Sequence, residues 1–471
     1  MDRFAQQVRA RMPLAEAVLL LWRHVADPDY LEQIFATHRG RNYTDELSFP
    51  KMVQLTADCL LRYGGSGRRA FSAARQQGEL PTTVDAVYGK LERMPVDVSM
   101  AFLAGCTERL GALYPRGARR TLPKSLGGFQ VVILDGKTVK NVQRRFKVLR
   151  QRAGGVLGGK ALVALSLNRG LALAMHAHPD GDANEVRFVG AVLPEVDRRL
   201  PGPRLNLVDR GFCDLTQLLR FRERGQRFLV RHHPKLSFQR DLTVLPVAGV
   251  DGAGRRYREE WGWVGVTSDR RRSYVRRITL ERSRDEPVIL LTDLLQGTRF
   301  PAADLLELYR LRWGIEQVFQ QVTEVFGLQK LIGTSPRATI FQLAFCLLIY
   351  NLIQVAKGYL AAAQERPATT ISTVKFFDDV VKHLTSWALF FTHSETVVYL
   401  APFHSRTQVR RRLHQLLDRL WSELWLKSPP QKRRRKPPGP PARRSHVSLF
   451  RVLEAAKEGR CERPQRRSSN A

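Results

Sequence analysis

The sequence predicts an α/β chain: a layered sheet preceded by a helical region and followed by a basic, partly disordered one. Three observations predict it. Between Phe129 and Val230 short apolar runs alternate with helical spacings, in the order strand, hairpin, helix, strand, helix, strand. Residues 1–125 keep apolar spacings of three and four through most of their length. Beyond about residue 400 the helices turn basic and end in a Pro/Arg/Lys tract, Ser428–Arg444.

The helical region breaks at Gly64–Gly67, Gln77–Pro81 and Pro95, and Thr83–Met94 and Val98–Leu113 are its clearest helices. Its early apolar run, Ala15–Trp22, meets charge again without a small-residue cleavage site, so it reads as a helix and not a signal peptide. Phe129–Leu134 (FQVVIL) is a strand ending at Asp135-Gly136. Ala161–Leu167 and Leu171–Ala177 form a hairpin through Asn168-Arg169-Gly170. Asn184–Leu200 is a helix, Leu205–Val208 a strand stopping at Asp209, Leu215–Arg224 a helix and Phe228–Val230 a strand. Short β pieces around Val244–Val247, Trp261–Val266 and Tyr274–Leu280 make an insertion at about 235–286. Val288–Leu291 restores the buried strand, and Ala302–Phe326 reads as one long amphipathic helix. Ala338–Ala356 is uncharged for nineteen residues. Gln342, Asn351 and Gln354 within it are costly in hydrocarbon, so it reads as a core helix. The chain divides into three domains: 1–125, helical; 126–400, the sheet with its insertion; and 401–471, basic, with 428–471 largely disordered.

The 471 residues carry a formal net charge of +33 with 43% hydrophobic residues, which is ample for a core. Solubility asks only about 2–8 net charges of a small domain, so the surplus implies a polyanionic partner, nucleic acid or an acidic membrane surface. Lys427–Ala471 holds fourteen basic and three acidic residues, so most of the surplus lies on the folded body. The five cysteines stand far apart without CxxC or finger spacing. That excludes a zinc finger and a disulfide framework and fits a reducing cytosol.

Two motifs fall short of a function. Gly154–Lys160 fits most of a phosphate-cradling GxxxxGK, but Ala161 stands where the hydroxyl belongs and a strand comes next instead of a helix. His176 and His178 share a strand face but have no third ligand nearby in sequence. Three acids carry more. Asp135 and Asp209 each come directly after a buried strand, at the edge where open α/β sheets build their sites, and each has a glycine within two residues. A single such aspartate is usually a turn residue; two are a pattern. Tyr309, Arg312 and Glu316 are spaced by three and four on the helix beyond Val288–Leu291, within about 60° of one another.

ILDGK, VDRGF and Tyr309-x-x-Arg312-x-x-x-Glu316 resemble the three blocks of the DDE transposases of bacterial insertion sequences, in particular the insertion-sequence-four (IS-four) group, whose signature is Y-x2-R-x3-E-x6-K. The resemblance spans about residues 125–355 and includes HPDGDANE (178–185) after the hairpin. It implies a ribonuclease-H-like core with a β-strand insertion, in which Asp135, Asp209 and Glu316 hold two magnesium ions, manganese substituting. It further implies that Tyr309 and Arg312 bind DNA phosphate. The activity implied is cleavage of double-stranded DNA at terminal inverted repeats and joining of the 3′ ends to target DNA, by a dimer on DNA in a bacterial cytoplasm at the nucleoid. The helical region would read the repeats. No membrane and no small-molecule substrate are implied. The chain departs from the signature at Thr323, where Lys is expected; Lys330 and Arg337 lie beyond Gly327. A decayed or domesticated transposase that binds without cutting is the rival reading, and a basic RNA-binding protein a weaker one, since acids facing a phosphate backbone repel it unless a metal intervenes.

The insertion adds one further expectation. Between Arg240 and Arg284 it carries eleven arginines interspersed with aromatics. Trp261 and Trp263 are two apart, hence on one strand face, and are candidates to stack on a displaced base. Their alternative role is to fasten a small sheet to the core.

Overall fold

Helix starts in the N-terminal region are written as short polar caps and early prolines. Asp27 accepts from Tyr30 N ahead of Pro28, Ser48 from Lys51 N ahead of Phe49-Pro50, and Ser66 and Thr83 repeat the device. The computed structural model describes residues 3–41, 46–140, 142, 146–149, 154–265, 272–282, 286–428 and 446–458. The caps open a run of helices: α1 (Arg3–Ala10), α2 (Pro13–Val25), α3 (Pro28–His38), α4 (Phe49–Leu61), α5 (Gly67–Gln76), α6 (Val84–Arg93) and α7 (Val96–Leu113).

The sheet begins with β1 (Gln130–Thr138), succeeded by β2 (Gly155–Leu157) and the hairpin β3 (Lys160–Ser166) and β4 (Leu171–His178). Gly170, at φ +69°, makes the hairpin turn that Asn168-Arg169-Gly170 predicts. Then come α8 (Val189–Arg199), β5 (Arg204–Val208), α9 (Leu215–Glu223) and β6 (Arg227–Arg231). Next are β7 (Phe238–Arg240), β8 (Val247–Val250), β9 (Arg256–Val264), β10 (Ser273–Leu280) and β11 (Val288–Thr292). The path through the sheet is β4-β3-β1-β5-β6-β11-β10-β9-β7, with β8 on β9. β1, β5 and β6 are parallel, and the flanking pairs are antiparallel. The strands of the expected insertion are therefore not a separate layer. β10 pairs with β11 and continues the central sheet.

The central strands are covered on both faces, while β7 and β8 at the far edge are largely exposed. Val131, Ile133, Leu205 and Leu207 face one core; Val132, Leu134, Val208 and Val230 face the other, under α8 and α9. The first core also takes in the N-terminal helices and α10 (Ala302–Arg310), α11 (Gly314–Glu324) and α12 (Pro336–Ala363). Between α10 and α11 lies a 3₁₀ turn, Leu311–Trp313, so the single helix expected over 302–326 is two. The tighter turn sits just before Gly314, a poor helix former.

α12 contains an apolar window long enough to cross a membrane, but 94% of that window is buried in protein. Its polar residues are satisfied there. Asn351 accepts from Ala172 N (2.8 Å) and donates to Thr107 Oγ1 (2.8 Å) and Ala172 O (2.9 Å), while Gln342 bonds the backbone of Ile332, Gly327 and Lys330. The chain continues as α13 (Thr373–Phe390), α14 (His393–Leu400) and α15 (Arg406–Leu417), then β12 (His446–Ser448) and α16 (Leu449–Lys457). β12 pairs with β2, and Ser448 and Arg451 bind Asp180. Residues 429–445, most of the Pro/Arg/Lys tract, lie outside the described residues, as do 459–471 and Arg270 and Arg271.

Candidate active site

Parallel pairing of β1 and β5 ends at Leu134 and Val208, and the next residues are Asp135 and Asp209. The two aspartates thus stand side by side where the strands part. Asp135 is not at the end of its strand, as the sequence suggests, because β1 stays paired with β3 as far as Thr138. Alternation places Asp135 with Val131 and Ile133, and Asp209 with Leu205 and Leu207, on the face that α10 and α11 cover. Asp135 Oδ1 accepts from Gly136 N at 2.9 Å. A Cβ at Gly136 would come within 3.0 Å of the Glu185 side chain, which is why the smallest residue comes after the aspartate.

From the other side the 3₁₀ turn delivers Arg312, only 3% exposed. Its guanidinium nitrogens lie 3.9 Å from Asp135 Oδ2, 3.7 Å from Asp209 Oδ1 and 3.4 Å from Glu316 Oε1. The Tyr309 hydroxyl lies 3.5 Å from Asp209 Oδ1 and 3.4 Å from Val208 O. All five residues singled out by spacing therefore meet at one point. The contacts are long, and Arg312 Nε and Nη1, though buried, make no hydrogen bond. The carboxylates of Asp209 and Glu316 are about two-fifths exposed, so the cluster opens to solvent on their side.

Burial raises the Asp135 carboxyl to about 6. Arg312 and the Gly136 N–H oppose that rise, and the negative charges of Asp209 and Glu316 add to it. Burial works against the Arg312 charge, but Tyr309 and the three carboxylates outweigh it and hold its pKa above the ordinary arginine value. Burial also pushes the Tyr309 phenol up.

The donor set, three carboxylates, is that of a hard divalent cation such as magnesium or manganese. Its present spacing is closed on the guanidinium: among the described residues no group of three or more His, Cys, Asp or Glu side chains lies near enough to hold a metal ion. A cation would draw the two exposed carboxylates away from Arg312. The donors fit chemically, and their geometry is set by the arginine.

Residues 126–352 match the transposase DDE domain. The matched stretch holds all three acids and runs from just before β1 into α12. Among solved structures the chain is similar to a piggyBac transposase synaptic complex with hairpin DNA, seen by cryo-electron microscopy, at 10% identity and a TM-score of 0.41, over 86% of this chain and 85% of that one. No curated protein sequence matches the chain.

The matched stretch also holds features that spacing did not single out. Beyond Arg312 lies a cavity of about 340 Å³. Arg231, Arg255 and Arg282 line it from the sheet and Arg310 and Arg312 from the helical side, with no carboxylate among its lining residues. Trp313, 57% exposed, stands at the same wall with its ring 5.4 Å from the Arg312 guanidinium. Trp261 and Trp263 do not line this cavity. Trp261 donates its N–H to Leu295 O (2.9 Å), and Trp263 packs edge-on against Tyr274 at 4.9 Å, with Arg272 over its ring. His176 and His178 both pack on Phe188. Lys160, the last residue of the glycine motif, pairs with Glu185.

Proposed function

We propose that the chain is a DNA transposase of the IS-four group, built on a ribonuclease-H-like core, which cuts double-stranded DNA at element ends and joins the 3′ ends to target DNA. The observation that carries the reading is the convergence of Asp135, Asp209 and Glu316 on one buried guanidinium with unspent N–H groups, inside the matched DDE domain. Arg312 Nε and Nη1 make no hydrogen bond and are donors an oxyanion can accept from, at the point where three carboxylates also meet. Two magnesium ions held by the three carboxylates would supply activation of the attacking hydroxyl and stabilisation of the leaving oxygen.

The chain's own groups do the rest. Arg312, always charged and planar, presents paired N–H groups to a phosphate at the carboxylate cluster. Tyr309, neutral at physiological pH, keeps its hydroxyl proton for a hydrogen bond. Asp135 carries a proton on its carboxyl below about pH 6 and gives it up as a cation approaches. The arginine cavity, with Trp313 at its wall, offers a place for a displaced nucleotide, an aromatic face beside several cations. The helical N-terminal region would read the inverted repeats, a dimer would pair the two ends, and the basic tail would add salt-sensitive affinity in the bacterial nucleoid.

The test is a supercoiled plasmid bearing the inverted repeats that flank the gene, incubated with purified protein and magnesium or manganese. Nicks at the repeat ends are expected with either metal, none with chelator, and none for Asp209→Ala or Glu316→Ala. Protein that binds the repeats yet makes no strand break with either metal would be the decayed, binding-only form.

A further inference from the structure

The departure from the family signature at Thr323 has a counterpart elsewhere in the fold. Lys137 lies two residues after Asp135 and so on the same face of β1. Its ammonium reaches α11, where Nζ lies 2.8 Å from Thr323 Oγ1 and 3.5 Å from Phe319 O, with the Phe319 ring 5.6 Å away. Thr323 donates its own proton back to Phe319 O at 2.6 Å, which leaves its oxygen lone pairs for the ammonium. Of the later cations, the Lys330 stem packs over Gly65, and Arg337 is exposed at the start of α12.

We infer that Lys137 supplies this site with an ammonium that contacts phosphate from the strand, with Thr323 as the residue that positions it. The inference rests on the transposase reading above. An ammonium withdrawn from water is unfavourable unless an anion or several acceptors compensate it. The protein gives Lys137 a hydroxyl and a carbonyl, with no carboxylate at ion-pair distance among the described residues. A phosphate at the Asp135–Glu316 cluster lies toward the same end of β1. The contact also explains why position 323 is not lysine here. A second ammonium within about 3 Å of the first would repel it, whereas a hydroxyl accepts from it.

A charge-exchange experiment decides the matter. The proteins are wild type, Lys137→Met, Thr323→Lys and the exchange Lys137→Thr with Thr323→Lys. Two readouts are taken: plasmid-end cleavage, and the salt dependence of binding to a fluorescent duplex oligonucleotide of arbitrary sequence. Lys137→Met is expected to cut roughly tenfold slower or worse and to lower the slope of log affinity against log salt by about 0.9. Thr323→Lys should be impaired by like-charge crowding. The exchange, which puts the ammonium back from the other side, should return to within roughly threefold of wild type. Lys137→Met with both readouts at wild-type level overturns the inference, and so does an exchange variant that is inactive or unfolded. If Lys137→Met itself fails to fold, the exchange variant alone decides, by the same criteria. If the wild-type protein cuts no DNA at all, the transposase reading fails, and the salt slope of Lys137→Met still decides Lys137.

Discussion

Lys357 gives the sharpest stability prediction. It lies inside α12, 3% exposed, and its Nζ has one hydrogen-bond partner described, Thr373 Oγ1 at 3.0 Å. Burial, reinforced by Lys427, brings its pKa from 10.5 to about 7. A base whose pKa is lowered by folding destabilises the native state fully at pH values below the folded pKa. The penalty fades as pH rises from about 7 toward 10.5, where the unfolded chain also loses its proton. The interval corresponds to about 4 kcal/mol at pH 7. Lys357→Met keeps the stem's volume, removes the charge and gives up one hydrogen bond worth ~1 kcal/mol. The variant should therefore be more stable than wild type by about 2–3 kcal/mol at pH 7, and the difference should nearly vanish by pH 10. Urea unfolding monitored by tryptophan fluorescence, run on both proteins across pH 6.5–10, measures the gap directly. A methionine variant less stable than wild type at pH 7, or a gap that does not change with pH, would refute the reasoning.

Four further outcomes are expected. Arg276, fully buried, pairs with Glu259 and donates to Phe300 O at 2.6 Å; Arg276→Met should cost ~3–5 kcal/mol by leaving Glu259 uncompensated, and adding Glu259→Met should recover much of it in the same unfolding assay. Asn351→Leu strands Ala172 N, Ala172 O and Thr107 Oγ1, and should cost roughly 2–4 kcal/mol by thermal unfolding. At limiting magnesium, DNA cleavage should fall as pH drops through about 6, because a proton on Asp135 competes with the cation, and raising magnesium should move the fall to lower pH; a rate at pH 5 that does not respond to magnesium would remove Asp135 from the site. Trp313→Ala should leave the first nick intact and slow later strand processing by roughly tenfold, whereas Trp261→Leu and Trp263→Leu should affect stability alone, as gel assays of intermediates would show.

The acid pattern was legible because its cause is local. FQVVIL and LNLV are buried parallel strands, and the position just past their pairing is where a carboxylate can face solvent without leaving the sheet. The hairpin was legible for the same reason, a turn glycine between two apolar runs. The break at Leu311–Trp313 was not, since spacings of three and four suit one helix or two joined by a 3₁₀ turn. Nor was the fate of the insertion: β10 joins β11 through pairing that no local pattern encodes, and the central sheet simply lengthens. Lys137 and Thr323 stand 186 positions apart. Thr323 reads alone as a missing lysine and Lys137 as an ordinary strand residue, and only the fold puts one against the other.

The stacking of Phe102 in α7 on Phe345 in α12, 5.9 Å between rings, has a bearing on how the chain is made. Phe341 and Phe49 join the same aromatic seam, so helices from the first and the last thirds of the chain close one interior. During synthesis α7 emerges some 250 residues before α12 is complete. At ~5–20 residues per second, its apolar face waits roughly 10–50 s for its partner. A ribosome that stops early, or a gene copy truncated before α12, leaves that face open to chaperones and proteases.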